Sequence, residues 1–156
     1  MNYLEIIGII YGREIYMRTI AVIDAQGAGI GQTVIKRLKK ECSHERLRIV
    51  ALGTNELAAS NMIKAGAQKG IVGSYDICSF LKKEQPWSII GPIGIICNGG
   101  INGEVTADIS REIFKLNCKK YILPLKVHGI YIPGTTSLEI KDMISEIIKN
   151  INEELK

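Results

Sequence analysis

Hydrophobic and polar positions along this chain follow two alternating rhythms, and each change of rhythm marks an element boundary. An apolar, β-branched run, Thr19-Ile20-Ala21-Val22-Ile23, stops at Asp24 and reads as a strand. From about Ile30 the spacing becomes helical through Thr33-Val34-Ile35-Lys36-Arg37-Leu38-Lys39-Lys40. A second strand follows at Leu47-Arg48-Ile49-Val50-Ala51-Leu52, then a helix over 57–65 rich in helix formers, with Gly66 just beyond its end. Lys69-Gly70-Ile71-Val72-Gly73 is a short third strand. A weak helix over 74–83 comes next, with Ser74 or Asp76 as its cap, and Pro86 closes it. The fourth strand is Trp87-Ser88-Ile89-Ile90, ended there because Pro92 has no N–H to give a central ladder. Asn98-Gly99-Gly100-Ile101-Asn102-Gly103 is a loop, and Thr106 caps a helix over 107–116 with Asp108 in its first turn. Tyr121-Ile122-Leu123-Pro124-Leu125 is the fifth strand, and Gly129-Ile130-Tyr131-Ile132 is a candidate sixth. Ser137 is expected to cap a last amphipathic helix reaching about Leu155, with Ile140, Met143, Ile144, Ile147, Ile148 and Ile151 turned inward. Strands that alternate with helices in this way predict an α/β fold. It would be a three-layer sandwich around a mostly parallel sheet of five or six strands, with right-handed crossovers.

The stretch between the first strand and the first helix carries the chemistry. Gly27, Gly29 and Gly31 stand at alternate positions directly after Asp24. Glycine lets a backbone come close to a ligand, and the first N–H groups of a helix lack intrahelical partners. Together with the positive end of the helix dipole, those groups favour a phosphate. Gly27 and Gly29 fit the first two positions of the dinucleotide fingerprint, whereas Gln32 occupies its third. Gly29-Ile30-Gly31 also matches the end of the short-chain dehydrogenase turn, with Ala25 in place of that motif's first glycine. A tight turn with no ligand is the plainer alternative. Asp24 has a plain role too, that of orienting the turn through local backbone bonds.

Composition narrows the partners. Of the 156 residues, 46% are hydrophobic and 23% charged, as in an ordinary soluble globule. The net charge of +4 comes from short basic runs such as Lys36-Arg37, Lys39-Lys40, Lys82-Lys83 and Lys119-Lys120. These sit beside apolar positions and read as solvated faces, not as a nucleic-acid stripe. The aromatic residues do not interleave with them, so no single-strand platform is expected. Leu4-Glu5-Ile6-Ile7-Gly8-Ile9-Ile10 is too short to span a bilayer and lacks a basic lead-in. Cys42, Cys78, Cys97 and Cys118 are far apart, with only His44 and His128 to assist, so neither a metal site nor a disulfide framework is expected. Free thiols without a leader point to the cytoplasm. Residues 1–17 read as a dispensable extension, with Met17 as the natural start of a single domain over 18–156; an added edge strand over 4–10 is the alternative.

The glycine loop, Ala51-Leu52-Gly53-Thr54-Asn55, Lys64-Ala65-Gly66-Ala67 and Ile90-Gly91-Pro92-Ile93-Gly94-Ile95-Ile96 together carry a family resemblance. From about Arg18 onward the chain resembles the family called domain of unknown function 3842. That resemblance implies a Rossmann-like fold and no established activity. Ala25 and Ala28 depart from the family's more glycine-rich loop.

In a sheet of this kind ligands sit beyond the carboxyl ends of the strands. The expected binding residues are therefore Asp24, Gln26, Gly27, Gly29, Ile30 and Gly31, then Gly53, Thr54 and Asn55, then Gly91, Pro92 and Gly94. Glu56 lies one place late for the acid that usually holds ribose hydroxyls, so Thr54 or Asn55 would serve, unless Thr54 simply caps the second helix. The ligand this predicts is a nucleotide, NAD(P) or another adenine nucleotide. For chemistry the candidates are His128, Asn98 and Cys97, but Cys97-Asn98-Gly99-Gly100 only faintly echoes the dehydrogenase Asn-Asn-Ala-Gly. No Tyr has Lys four residues on, and no hydrolase elbow, Walker loop or metal box occurs. Three readings stand: a nucleotide-binding module, a small oxidoreductase completed by a partner subunit in a homo-oligomer, and an interaction protein with an empty loop.

Overall fold

The computed structural model describes residues 3, 17–42 and 45–156. Apart from residues 3 and 17, the extension over 1–17 lies outside the described residues, as do its alternative edge strand over 4–10 and His44. From residue 17 onward, the described residues form five strands alternating with five helices: β1 Arg18–Asp24, α1 Gly29–Glu41, β2 Leu47–Gly53, α2 Glu56–Ala65, β3 Lys69–Val72, α3 Ser74–Glu84, β4 Ser88–Pro92, α4 Ala107–Lys115, β5 Lys119–Leu123 and α5 Ile140–Leu155. A short 3-10 turn, Ile93–Ile96, follows β4. All neighbouring strands are parallel, in the order β3-β2-β1-β4-β5. This is the doubly wound arrangement, and the order reverses between β1 and β4.

The alternation inside each strand builds two cores. Ile20, Val22, Ile49, Ala51 and Ile90 point to one face and pack with Val34, Ile35 and Leu38 of α1, Met62 of α2, and Ile144, Ile148 and Ile151 of α5. Ala21, Ile23, Val50, Leu52 and Ile89 point to the other face, against Ile77 and Leu81 of α3 and Ile109 and Ile113 of α4. Burying each such side chain contributes about 1.5–3 kcal/mol, which is why β1, apolar on both faces, holds the centre.

Pairing of β1 with β2 runs from Arg18↔Leu47 to Asp24↔Gly53, so both strands end level at the carboxyl edge. Pairing of β1 with β4 stops at Val22↔Ile90. Beyond that point the ladder continues only with β5, as far as Pro92↔Leu123. This corrects the expected end at Ile90: the missing proline N–H is tolerated where the strand has one neighbour.

Other boundaries also differ. β5 begins at Lys119 and stops at Leu123, without Pro124 and Leu125. Residues 129–132 form no strand. Short-range bonds from Leu125 N to Leu123 O, Val127 N to Leu125 O and Ile130 N to Val127 O coil this segment on itself, and His128 and Gly129 are left-handed. Neither Ser74 nor Asp76 caps α3. Gly73 holds that position at φ 85°, and the Ser74 hydroxyl instead meets the Thr106 hydroxyl at 2.7 Å. Glu139, not Ser137, is the N-cap of α5, and a turn from Leu138 N to Thr135 O precedes it. Ile140, in the first turn, is 37% exposed and so is not turned inward. Thr106 does cap α4, accepting from Ile109 N at 3.3 Å.

Candidate functional site

The buried Asp24 organises the carboxyl end of β1. Its two carboxylate oxygens accept from Ala25 N and from Gly31 N, each at 2.8 Å, and so tie the strand end to the first turn of α1. Burial pushes the Asp24 carboxyl above its ordinary pKa; the two amide bonds oppose this, and the nearby Glu104 charge adds to it. Between Asp24 and α1 the chain makes an unusual turn. Gln26 and Ala28 are left-handed at φ 52° and 55°, whereas Ala25 and the loop glycines are not. An L-residue held there costs roughly 1–2 kcal/mol, and strain of this kind persists only where its surroundings impose it. The imposing contacts are visible. Ala28 N donates to Ala25 O at 2.9 Å, and the carbonyl of Gly27 accepts from Gln32 Nε2 at 2.9 Å and Asn61 Nδ2 at 3.0 Å.

Among the described residues, the amides of Gly27, Gly29 and Ile30 have no hydrogen-bond acceptor. A Cβ built on Gly27 or Gly29 would meet nothing within 4 Å. The other glycines singled out from the sequence have reasons inside the fold. A Cβ on Gly31 would lie 2.6 Å from Met62 Sδ, on Gly53 2.4 Å from Ala59 N, on Gly91 2.7 Å from Ile23 O, and on Gly94 2.6 Å from Ile101 Cγ1. Pro92 is buried at the end of β4.

The end of β2 is more crowded than expected. Asn55, not Thr54, caps α2, accepting from Ala58 N at 2.8 Å. Thr54 instead donates its hydroxyl to Glu104 Oε1 at 2.8 Å, and Asn55 Nδ2 donates to the same oxygen at 2.6 Å. The Gln26 amide completes the group at 3.1 Å from Oε1 and 3.2 Å from Oε2. Burial works to raise the Glu104 pKa, but the bonds from Asn55, Thr54 and Gln26 outweigh it and hold the carboxyl below its ordinary value. Glu104 was not among the residues expected from sequence. The acid expected to hold ribose hydroxyls was placed after β2, whereas Glu104 reaches the end of β2 from the loop after β4, a proximity that only the fold creates.

Glu104 stands on a loop bound to itself. Gly99 N donates to Val105 O, Gly103 N to Gly99 O and Val105 N to Gly100 O. Ile101 is left-handed at φ 50°, a genuine outlier for a β-branched residue. Val105, fully buried, anchors the loop in the second core.

The catalytic candidates do not converge. Among the described residues, His128, Asn98 and Cys97 share no hydrogen bond or ion pair. His128 and Asn98 are exposed, while the Cys97 thiol donates to Ile93 O at 3.6 Å. Burial pushes the Cys42 thiol up to about 11 and raises those of Cys78 and Cys118, which leaves these three as protonated thiols near neutrality. No group of three or more metal-ligating side chains gathers among the described residues, and none of their helices is long and apolar enough to cross a membrane. Hollows open between β5 and α5, between α3 and α4, and beside α1, but none of these is lined by Gly27, Gly29 or Ile30. The glycine turn forms an open shelf, with Gln26 and Gly29 exposed.

No curated protein matches the chain. Among solved structures it is similar to the universal stress protein from Archaeoglobus fulgidus, at 14% identity and a TM-score of 0.41, over 70% of this chain and 99% of that one. The same protein in complex with dAMP aligns over the same shares at 14% identity and 0.42. A mutant FtsZ from M. jannaschii aligns at 19% identity and 0.39, over 78% of this chain and 40% of that one. Sequence places the chain more firmly. The family described as domain of unknown function (DUF3842) matches residues 19–156, and the chain belongs to it.

Proposed function

We propose that this protein binds a nucleotide on the glycine shelf at the carboxyl edge of β1, with NAD(P) or another adenine nucleotide as the ligand class. One observation carries the reading. Gly27 and Gly29 have neither a left-handed φ nor a neighbour that would exclude a side chain, and their amides, with that of Ile30, have no acceptor among the described residues. Nothing in the described fold requires glycine at either position. A molecule lying against the backbone would require it, and an anion is what such amides at a helix start favour. The shelf also lies where the strand order reverses, the usual ligand position in open α/β sheets. An open shelf suits the phosphate and ribose portion of a nucleotide.

A nucleotide panel read by thermal shift and calorimetry tests this. Ligand at a hundred times its Kd adds about 2.7 kcal/mol, a rise of roughly 5–10 °C for a chain of this size. The variant Gly29→Ala discriminates further. Its Cβ enters free space at the first helical position, so Tm should hold or rise by the equivalent of about 0.5–1 kcal/mol. Nucleotide binding should weaken at least about tenfold in the same variant. Unchanged affinity in Gly29→Ala, or no response to any nucleotide, overturns the proposal.

A further inference from the structure

Glu104 is held as few surface acids are. Three donors from two separate segments converge on Oε1, while Oε2 takes only the longer share of the Gln26 amide at 3.2 Å. A carboxylate oxygen can accept two bonds, so Oε2 keeps acceptor capacity beside the glycine shelf. The loop that presents the acid is over-determined. Ile101 and Asn102 are left-handed between Gly99 and Gly103, which are left-handed too, and a Cβ on Gly100 would lie 2.0 Å from Gly94 O. Strain stored so close to a ligand edge is a signature of a positioned group.

Its location gives it a task. In doubly wound folds the ribose next to the glycine turn lies against the end of β2, and an acid there accepts from its hydroxyls. In this chain β2 ends in Gly53-Thr54-Asn55, and the first acid after it, Glu56, is exposed on α2. Glu104 brings a carboxylate to that place from the loop after β4, and Thr54 and Asn55 orient it. We infer that Glu104 receives the ribose hydroxyls of the nucleotide, and that it makes the site select ribose with a free 2′-hydroxyl over ribose phosphorylated there; this rests on the nucleotide reading above. A 2′-phosphate would put a second negative group against a carboxylate already committed to its donors, with Asp24 nearby. Among the described residues, no Lys or Arg bonds to Glu104, Thr54 or Asn55 and could neutralise it.

Calorimetry on the intact protein with three probes tests the inference: adenosine 5′-monophosphate, its 2′-deoxy form, and adenosine phosphorylated at both the 2′ and 5′ positions. The first should bind about tenfold more tightly than the second, through one charge-assisted hydrogen bond, and at least about tenfold more tightly than the third. In Glu104→Gln the penalty on the 2′-phosphate should shrink to within about threefold. Equal wild-type affinity for the three probes overturns the inference while leaving nucleotide binding intact. So does Glu104→Gln binding all three more tightly by one common factor, which would make the acid a competitor for the shelf. Silence from all three probes in both proteins overturns the nucleotide reading itself, and the inference with it. If Glu104→Gln does not fold, the wild-type series decides alone.

Discussion

Ser88 carries a hydroxyl into β4 with 1% of its surface exposed, and its Oγ has no hydrogen-bond partner among the described residues. A buried hydroxyl left unpaired costs about 1–3 kcal/mol, so Ser88→Ala should stabilise the protein by about 1 kcal/mol. A higher urea midpoint at unchanged slope is the expected result. Single residues also show where sequence reading stops. The glycine turn was legible, because three glycines after an apolar run and an acid are a local signal. Which glycines matter for a ligand was not legible. Gly31, Gly53, Gly91 and Gly94 answer to Met62, Ala59, Ile23 and Ile101, close approaches that only the folded chain makes. The left-handed residues proved to be Gln26 and Ala28, because side chains from two helices grip the carbonyl between them.

At the level of elements, the loop between the 3-10 turn and α4 acts as a bracket for Glu104. Its tightest point is Gly100, where any side chain would strike Gly94 O at 2.0 Å, a backbone atom that cannot swing aside. Gly100→Ala should therefore cost roughly 2–4 kcal/mol in urea unfolding and release Glu104 from Thr54 and Asn55. Gly103→Ala tests the bracket from the other side: its Cβ meets nothing, so the cost there is only that of a left-handed alanine, roughly 1–2 kcal/mol. Element order was readable because each strand and helix has its own hydrophobic period. The errors came where another element decides. Pro92 is tolerated because β1 has already left β4, and the 129–132 segment turns on itself before it can reach a sheet edge. Ser74 lost its capping role to a partner at Thr106, thirty-two residues away in sequence.

Across the whole molecule two carboxylates meet at one edge of the sheet with opposite tendencies. Asp24 has a raised pKa, so its contribution to stability is present below the ordinary value of 3.8 and is lost as pH rises through the folded value. Glu104 has a lowered pKa, so its contribution is present above 4.5 and is lost as pH falls through the folded value. The stability difference between wild type and Glu104→Gln should therefore stay constant from neutrality down to about pH 4.5 and close below it. Denaturation midpoints of the two proteins across that range supply the check, and a gap that persists in strong acid would contradict the assignment. This pairing was invisible in the sequence, where eighty residues separate the two acids. Only the crossover from β3 back to β4 brings their strand ends side by side.

The carbonyl of Gly27, gripped by Gln32 and Asn61, bears on time as well as on affinity. A turn already locked from behind has little freedom left to surrender when a visitor arrives. For the nucleotide proposed above, the entropy lost on binding would then fall chiefly on the incoming molecule.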